Sequence, residues 1–362
     1  MDERISGILA LRTRLPLIRP YHLSLVTLDH FESILVRIRT NGKEGFGETT
    51  HVPGYFHETP EDAWHLIEKW APEIIARDPQ SVLREISETE RPLSFAVTPL
   101  ITALEELIHT SIKTGRGKVR LPLMGVVQGE TTEELIADTE KLQDSGFRTL
   151  KFKVGFDVDQ DLNRLRAVQK ALMAGVQIRV DANQGYSFDQ AERFLKDLDP
   201  EGIELLEQPL VTDAWEEMSR LALLRTVPLM LDEAIVSEAD LDRAIETGCA
   251  QAVKFKLMKC GSLAELARLI KKARSAGLKV IVGNGVALDI GCRHEALVLH
   301  ETGLTEDAGE MNGFLKCKEQ GLDPAIEVED GHILVPDGQP KVCWDVLSRF
   351  AVQERVWGRI ES

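Results

Sequence analysis

"TLKFKV", residues 149–154, is a short apolar run that is followed by a charged segment of helical period. Similar runs recur about every 25 residues over most of the chain that follows residue 120. Several of the helical segments between them end in Gly, a common C-terminal stop. The runs are LPLMGVV (121–127), TLKFKV (149–154), QIRVD (177–181), IELLE (203–207), PLMLD (228–232), AVKFK (252–256), KVIVG (279–283) and DAGEM (307–311).

Eight strand–helix units in series predict a (β/α)8-type barrel, and the stretch of chain that they occupy fits this fold. A doubly wound parallel sheet is the alternative. That fold would place a GxGxxG turn after the first strand. The nearest match, GNGVAL (283–288), lacks the third Gly and follows the seventh run. We therefore expect an α/β barrel without a dinucleotide site.

Both ends of the chain have a different pattern. FESILVRIRTNGKEGFGET (31–49) has alternating apolar residues before the turn NGKEG, which predicts a β-hairpin. AIEVEDGHILVPDG (325–338) predicts a second hairpin that returns to the first unit. We expect three parts: an α+β unit (1–115), the barrel with the active site (116–322) and a tail that completes the first unit (323–362). Helices are expected in the first unit at 60–77, 79–90 and 96–113.

The composition excludes several classes of partner. A net charge of −16 argues against nucleic acid or an anionic membrane, because phosphate binding needs a basic surface. The five cysteines form no CxxC pair, which is typical of free thiols in a reducing compartment. The start lacks the apolar stretch of a signal peptide, and no apolar run reaches the ~18 residues of a membrane span. We expect a soluble, cytoplasmic protein.

Three successive runs end in a carboxylate: Asp181, Glu207 and Asp232. Because the carboxyl ends of neighbouring barrel strands meet at one rim, these side chains are expected to lie side by side. A single acid at a strand end more often caps the following helix. Three oxygen ligands without His or Cys instead favour Mg²⁺, or Mn²⁺, which would also offset their mutual repulsion.

Two runs carry paired lysines: Lys151 and Lys153 on the second, Lys254 and Lys256 on the sixth. Residues two apart on a strand share a face, and in these apolar strands that face is expected to be the barrel interior near the rim. Burial and mutual repulsion would lower the pKa of each lysine, so that a neutral amine could act as a general base. Lysines that extend from strand ends to solvent are the alternative.

The second and sixth of eight strands lie opposite each other, with the carboxylate-bearing strands between them. A planar substrate at the metal would then have a lysine over each face. This combination resembles the muconate-lactonizing subgroup of the enolase superfamily, and the resemblance implies that the first unit is a capping domain over the barrel mouth. It rests on KFKVG (151–155), RVDANQ (179–184), LLEQP (205–209), MLDEA (230–234), KFKLMKCG (254–261), RPYHLSLVT (19–27) and GFGET (45–49).

The resemblance also implies roles for the acidic residues. Asp181, Glu207 and Asp232 match the metal ligands of the subgroup. Asn183, two residues after Asp181, and Glu233, directly after Asp232, are expected to support these ligands.

Lys153 and Lys256 match the acid/base lysines of the subgroup. One would take the proton α to a substrate carboxylate, giving an ene-diolate that the metal stabilises, and the other would return the proton or hold the anion. Lys151 is expected to lower the pKa of Lys153 and to bind the substrate carboxylate. The role of Lys254 stays open, because many members have no lysine there.

The shared residues do not separate the reactions of the subgroup, which include cycloisomerases, dipeptide epimerases, N-acylamino-acid racemases, o-succinylbenzoate synthases and dehydratases. Specificity is expected at the end of the eighth strand, at Glu310 and Asn312, and in the loop 50–61 with Tyr55 and His57. Dipeptide epimerases carry Asp-x-Asp at the eighth strand, one charge more than this chain. Muconate cycloisomerases show Glu followed by apolar residues and Gly, which is closer to EMNGF.

We therefore expect an isomerase, either a cycloisomerase or a racemase/epimerase, that acts on a small carboxylate or amino-acid derivative. A lyase of the same superfamily is the first alternative, and a barrel protein that has lost catalysis is the second. We also expect a homo-oligomer.

Overall fold

The computed structural model describes residues 4–22, 27–55, 57–90, 94–108 and 117–360. The predicted boundary at 115/116 and part of the helix expected at 96–113 lie outside these residues. The division into domains therefore stays a prediction.

The first unit is an antiparallel sheet covered by helices. The predicted hairpin is confirmed, with Arg39 opposite Glu44 across the turn. The first helix starts where Thr59 and Asp62 form a capping box, each side chain accepting from the other's backbone N–H. The elements are β1 (Gly7–His22), β2 (Thr27–Arg39), β3 (Glu44–His51), α1 (Pro60–Ile74), α2 (Pro79–Thr89) and α3 (Ser94–Ile108).

The central part begins with β4 (Val119–Pro122), and seven parallel strands then pair in chain order from β5 to β11. Helices follow the strands, so the predicted barrel-type fold is confirmed. The strands are β5 (Gly125–Val126), β6 (Thr149–Lys153), β7 (Gln177–Asp181), β8 (Ile203–Glu207), β9 (Leu229–Leu231), β10 (Ala252–Phe255) and β11 (Lys279–Val282). The helices are α4 (Thr132–Asp144), α5 (Val158–Lys170), α6 (Phe188–Asp197), α7 (Trp215–Ala222), α8 (Glu238–Thr247), α9 (Leu257–Cys260), α10 (Leu263–Ser275) and α11 (Asp289–Glu301).

The eighth position, 307–311, forms an isolated bridge where a regular strand was expected. Glu310 N donates to Val282 O at the end of β11 (3.0 Å), and Met124 N donates to Gly309 O (2.9 Å). These bonds join the last strand of the sheet to the segment before the first. The chain then turns at Asn312, whose N–H donates to Glu310 O (2.7 Å), so no longer strand forms.

The C-terminal segment pairs with two different sheets. The predicted hairpin is present, but it pairs with β4 and not with the first sheet, so its expected destination is wrong. The last strand does reach the first sheet, where Gly358 lies opposite Gly7. The elements are β12 (Leu322–Asp323), β13 (Glu327–Glu329), β14 (His332–Val335), β15 (Lys341–Val342), α12 (Trp344–Ser348) and β16 (Ala351–Gly358).

Buried contacts join the first unit to the barrel. Met258 on α9 packs in the apolar core of the first unit. Glu106 Oε1 on α3 also lies 2.7 Å from Arg293 Nη1 on α11, and both side chains are buried. The first unit is therefore fixed at the end of the barrel where the sequence places its chemistry. Among the described residues, no helix combines the length and the apolar character that crossing a membrane would require.

Candidate active site

A cavity of about 770 Å³ opens at the carboxyl ends of the barrel strands, beneath the first unit. Tyr21 from β1 and Tyr55 from the loop after β3 line it together with residues of the barrel. Glu207 and Asn312 do not line the cavity, although both are buried. The other expected site residues do: Tyr55, His57, Lys151, Lys153, Asp181, Asn183, Asp232, Glu233, Lys256 and Glu310.

The three expected metal ligands lie on neighbouring strands. Asp181 ends β7 and Glu207 ends β8, where the two residues are register partners. Asp232 directly follows β9. Each residue is about 1% exposed. The spacing of one carboxylate per strand–helix unit therefore does bring the acids to one rim.

Two ammonium groups lie among these carboxylates. Lys151 Nζ is 2.9 Å from Asp181 Oδ2 and 3.2 Å from Glu207 Oε2. Lys254 Nζ is 2.9 Å from Glu207 Oε1 and 3.5 Å from Asp232 Oδ2. These two lysines thus offset part of the negative charge of the three carboxylates.

A divalent cation fits the donor chemistry of the site. Three carboxylates offer hard oxygen ligands, and two of their buried oxygens, Asp181 Oδ2 and Glu207 Oε2, make ion pairs with Lys151 but no hydrogen bond. As the side chains stand, however, no group of three or more His, Cys, Asp or Glu within the described ranges is arranged to hold a metal ion. The carboxylates instead pair with the ammonium groups of Lys151 and Lys254. These ammonium groups would have to move away from the carboxylates before a metal could bind.

The two lysines of β6 have opposite electrostatic environments. Burial, assisted by Lys151, lowers the pKa of Lys153, whose Nζ donates to Asn183 Oδ1 (3.1 Å). Burial alone would also lower the pKa of Lys151, but Asp181, Glu207 and Glu310 raise it well above its ordinary value. The expected lowering is therefore confirmed for Lys153 and wrong for Lys151.

Lys254 on β10 and Lys256, the residue after this strand, are both ion-paired. Burial would lower the pKa of Lys254, but Glu207 and Glu310 raise it, so the expected lowering is wrong here too. Lys256 Nζ lies 2.7 Å from Asp232 Oδ2 and contacts the Tyr55 hydroxyl. The strands with the carboxylates, β7 to β9, separate β10 from β6 in the sheet.

Two of the expected specificity residues, Glu310 and Asn312, bond to other parts of the chain. Glu310 accepts from Lys151 (3.3 Å) and contacts Lys254. The Asn312 amide donates to Met124 O (3.1 Å), and its oxygen accepts from Lys316 Nζ (2.9 Å). His57 is exposed at the cavity mouth.

The residues beside the expected ligands form a separate contact. Asn183 Nδ2 donates to Glu233 Oε1 (3.0 Å), while Asn183 Oδ1 accepts from Lys153. Asn183 therefore connects Glu233, which follows the expected ligand Asp232, to the amine of Lys153.

Sequence reasoning missed three residues at or beside the cavity. Lys259 Nζ donates to Asp232 O (2.7 Å) and lies 3.2 Å from Asp232 Oδ1. Lys259 lies three residues after Lys256, about one helical turn further along the chain, and this spacing could have indicated that it lies near the same site. Tyr21 lines the cavity and Lys316 lies over its ring at 4.6 Å. Tyr21 belongs to the motif RPYHLSLVT (19–27), which could have indicated it, whereas no local pattern marks Lys316.

Comparisons with known families agree with this architecture. The family described as "Enolase C-terminal domain-like" matches residues 134–340. The family "Mandelate racemase / muconate lactonizing enzyme, N-terminal domain" matches residues 8–106. Members of these families generally depend on a divalent metal.

Curated relatives cover different reactions. The N-succinyl-L-Arg/Lys racemase of Bacillus cereus is 28% identical over 304 residues, 78% of this chain and 80% of the relative. The o-succinylbenzoate synthase of Geobacillus kaustophilus is 27% identical over 366 residues, 96% of this chain and 95% of the relative.

A solved structure shows the same arrangement over nearly the whole chain. The muconate lactonizing enzyme of Pseudomonas fluorescens, complexed with muconolactone, is 26% identical with a TM-score of 0.87, covering 97% of this chain and 100% of that one. With both family matches and a barrel capped by its N-terminal unit, the chain belongs to the mandelate racemase/muconate lactonizing enzyme family of the enolase superfamily, in its muconate-lactonizing-like subgroup.

Proposed function

We propose that this chain is an isomerase that moves the proton α to a carboxylate of a small substrate, with Lys153 and Lys256 as its proton-transfer groups. One observation supports this above the others. Lys153 ends β6 and Lys256 directly follows β10, and the three strands between them, β7 to β9, bring Asp181, Glu207 and Asp232 to one rim of the barrel. A substrate held over the carboxylates would have an amine on each side.

In the proposed reaction, the neutral amine of Lys153 removes the α-proton and becomes an ammonium. Its lowered pKa favours the neutral form, and the bond to Asn183 Oδ1 fixes the direction of the Nζ atom. The Lys256 ammonium, held by Asp232, delivers a proton to the opposite face. One proton is taken and one returned, so the substrate is isomerised and the two lysines exchange protonation states.

Asp181, Glu207 and Asp232 are the residues that would hold Mg²⁺ or Mn²⁺. When bound, the cation would supply the positive charge that stabilises the substrate anion. Lys151 remains positively charged beside these carboxylates and would bind the substrate carboxylate. Tyr55 and Tyr21 of the first unit line the cavity and would limit the access of water to the substrate.

The contacts of the specificity residues favour a substrate without a free ammonium group. Glu310 is paired with two lysines, and Asn312 is bonded on both sides. Neither of these two side chains is left to bind an added positive charge. We propose an N-acylamino acid or an unsaturated dicarboxylate as the substrate class.

A lyase reaction is the second candidate, because the o-succinylbenzoate synthase of Geobacillus kaustophilus matches 96% of this chain. A screen in D₂O with Mg²⁺ separates the two. An isomerase would incorporate deuterium at the α-carbon of an N-acylamino acid or cyclise a muconate, whereas a lyase would release water from a hydroxylated acid. Absence of α-proton exchange with every carboxylate tested would contradict the proposal.

A further inference from the structure

Lys254 lies at the centre of the acidic cluster. It is about 1% exposed on β10, and its Nζ lies 2.9 Å from Glu207 Oε1 and 3.5 Å from Asp232 Oδ2. The same atom contacts Glu310 Oε2. One ammonium group therefore contacts three buried carboxylates from three different parts of the barrel.

The ion pairs around Lys254 balance in formal charge. Four lysines are paired with four carboxylates, so each of these negative charges has a counterpart in the chain. The lysines are Lys151, Lys254, Lys256 and Lys259, and the acids are Asp181, Glu207, Asp232 and Glu310.

Two of the carboxylates that Lys254 contacts, Glu207 and Asp232, are proposed metal ligands. An ammonium and a divalent cation repel each other strongly at a few ångströms in a buried site. They also compete for the same oxygen lone pairs. Glu310 offers the ammonium a partner outside the proposed ligand set, so Lys254 can keep one carboxylate when it gives up the other two.

We propose that Lys254 is a built-in cation that competes with the divalent metal for Glu207 and Asp232 and that it gives up these two carboxylates but keeps Glu310 when the metal binds. This inference rests on the proposed function, because it takes the metal ligands from it. The metal affinity of the chain is then set by the balance between the two arrangements of Lys254, and removal of its charge shifts that balance toward the metal.

The test is calorimetric titration of full-length protein with Mn²⁺ and with Mg²⁺ at pH 8, compared with thermal melting with and without each metal. Lys254→Met keeps most of the side-chain volume and removes the charge. We expect it to bind Mn²⁺ about tenfold or more tighter than the unaltered chain, because one nearby positive charge is lost. The metal should also raise its melting temperature by more.

Lys316→Met is the matched control. Lys316 is a lysine of the same region that bonds to Gly285 O and Asn312 and contacts none of the proposed ligands. Its removal should leave the metal affinity within about twofold of the unaltered chain, since its charge is farther from them. Lys254→Gln serves as a second charge-removing variant if Lys254→Met does not fold by circular dichroism.

The outcomes separate the two proposals. Equal and measurable affinities in the unaltered chain and both Lys254 variants would overturn the role of Lys254 and leave the proposed metal ligands standing. No binding in any variant would overturn the metal ligands themselves. If Lys316→Met raised the metal affinity as much as Lys254→Met, the gain would come from the lower net positive charge of the region. That result would also overturn the specific role of Lys254.

Discussion

Lys256 Nζ lies 2.7 Å from Asp232 Oδ2, so a proposed proton-transfer group is paired with a proposed metal ligand. Burial alone would raise the pKa of Asp232, but the ammonium groups of Lys256, Lys254 and Lys259 hold it well below its ordinary value. The pair therefore keeps Asp232 ionised and its lysine partner fixed at one side of the cavity.

Replacing either proton-transfer lysine should abolish most activity. General acid/base groups typically contribute about 10²–10⁴-fold, so Lys153→Ala and Lys256→Ala should each lose that much turnover while the fold is kept. With a racemase or epimerase substrate in D₂O, each variant should exchange the α-proton of one enantiomer only, and the two variants should exchange opposite ones. Normal turnover in both variants would rule out the two-sided mechanism.

The pH profile should report the lowered pKa of Lys153. The neutral amine is the reactive form, so kcat/KM in the direction where Lys153 is the base should rise with pH and level off below pH 10.5. Lys151→Met removes a positive charge that lowers this pKa, so the rising limb of its residual activity should move to higher pH. Lys118→Met, an exposed lysine, should leave the limb in place. If the rising limb moved to lower pH in Lys151→Met, the assignment of this limb to Lys153 would be contradicted.

Changing the eighth-strand amide to an acid should not by itself change the substrate preference. In Asn312→Asp the new carboxylate would face Lys316, which already donates to this side chain, and would pair with it. We expect the double variant Asn312→Asp/Lys316→Met to shift relative rates toward substrates with a free ammonium, because its carboxylate is then available. Unchanged relative rates in the double variant across dipeptides and N-acylamino acids would exclude this position from substrate selection.

The buried Glu106–Arg293 pair should stabilise the contact between α3 and α11. Breaking a buried ion pair from one side costs about 3–5 kcal/mol, so Glu106→Gln should lower the free energy of unfolding by that amount. Urea denaturation followed by circular dichroism measures this. Glu85→Gln, which removes an exposed partner of Arg77, should cost less than about 1 kcal/mol. Similar losses in the two variants would contradict the structural role of the pair.

The stability that the Glu106–Arg293 pair contributes should also depend on pH. Burial alone would raise the pKa of Glu106, but Arg293 and His294 lower it to about 2 in the folded protein. A carboxyl whose folded pKa is depressed adds stability above its unfolded value of 4.5 and loses it as the pH falls toward 2. The difference in unfolding free energy between the unaltered chain and Glu106→Gln should therefore shrink between about pH 4.5 and pH 2. A difference that is constant over this range would contradict the shift.

The sequence by itself determined the repeating strand–helix order, the first hairpin and the placement of Asp181, Glu207 and Asp232 at one rim. These features depend on periods of two and about 3.6 residues and on one carboxylate per unit, which are properties of neighbouring residues. The family followed from the order and spacing of the same short motifs.

Only the tertiary structure decided which charges meet. Lys151 and Glu310 are 159 positions apart, and Lys256 and Tyr55 are 201 apart, so no local pattern records either contact. The direction of a lysine's pKa shift depends on such contacts: burial lowers the pKa of Lys153, while distant carboxylates reverse the effect for Lys151. The eighth segment was likewise settled by hydrogen bonds to residues far away in the chain, since a run of five residues can close a barrel with three backbone bonds and no regular strand.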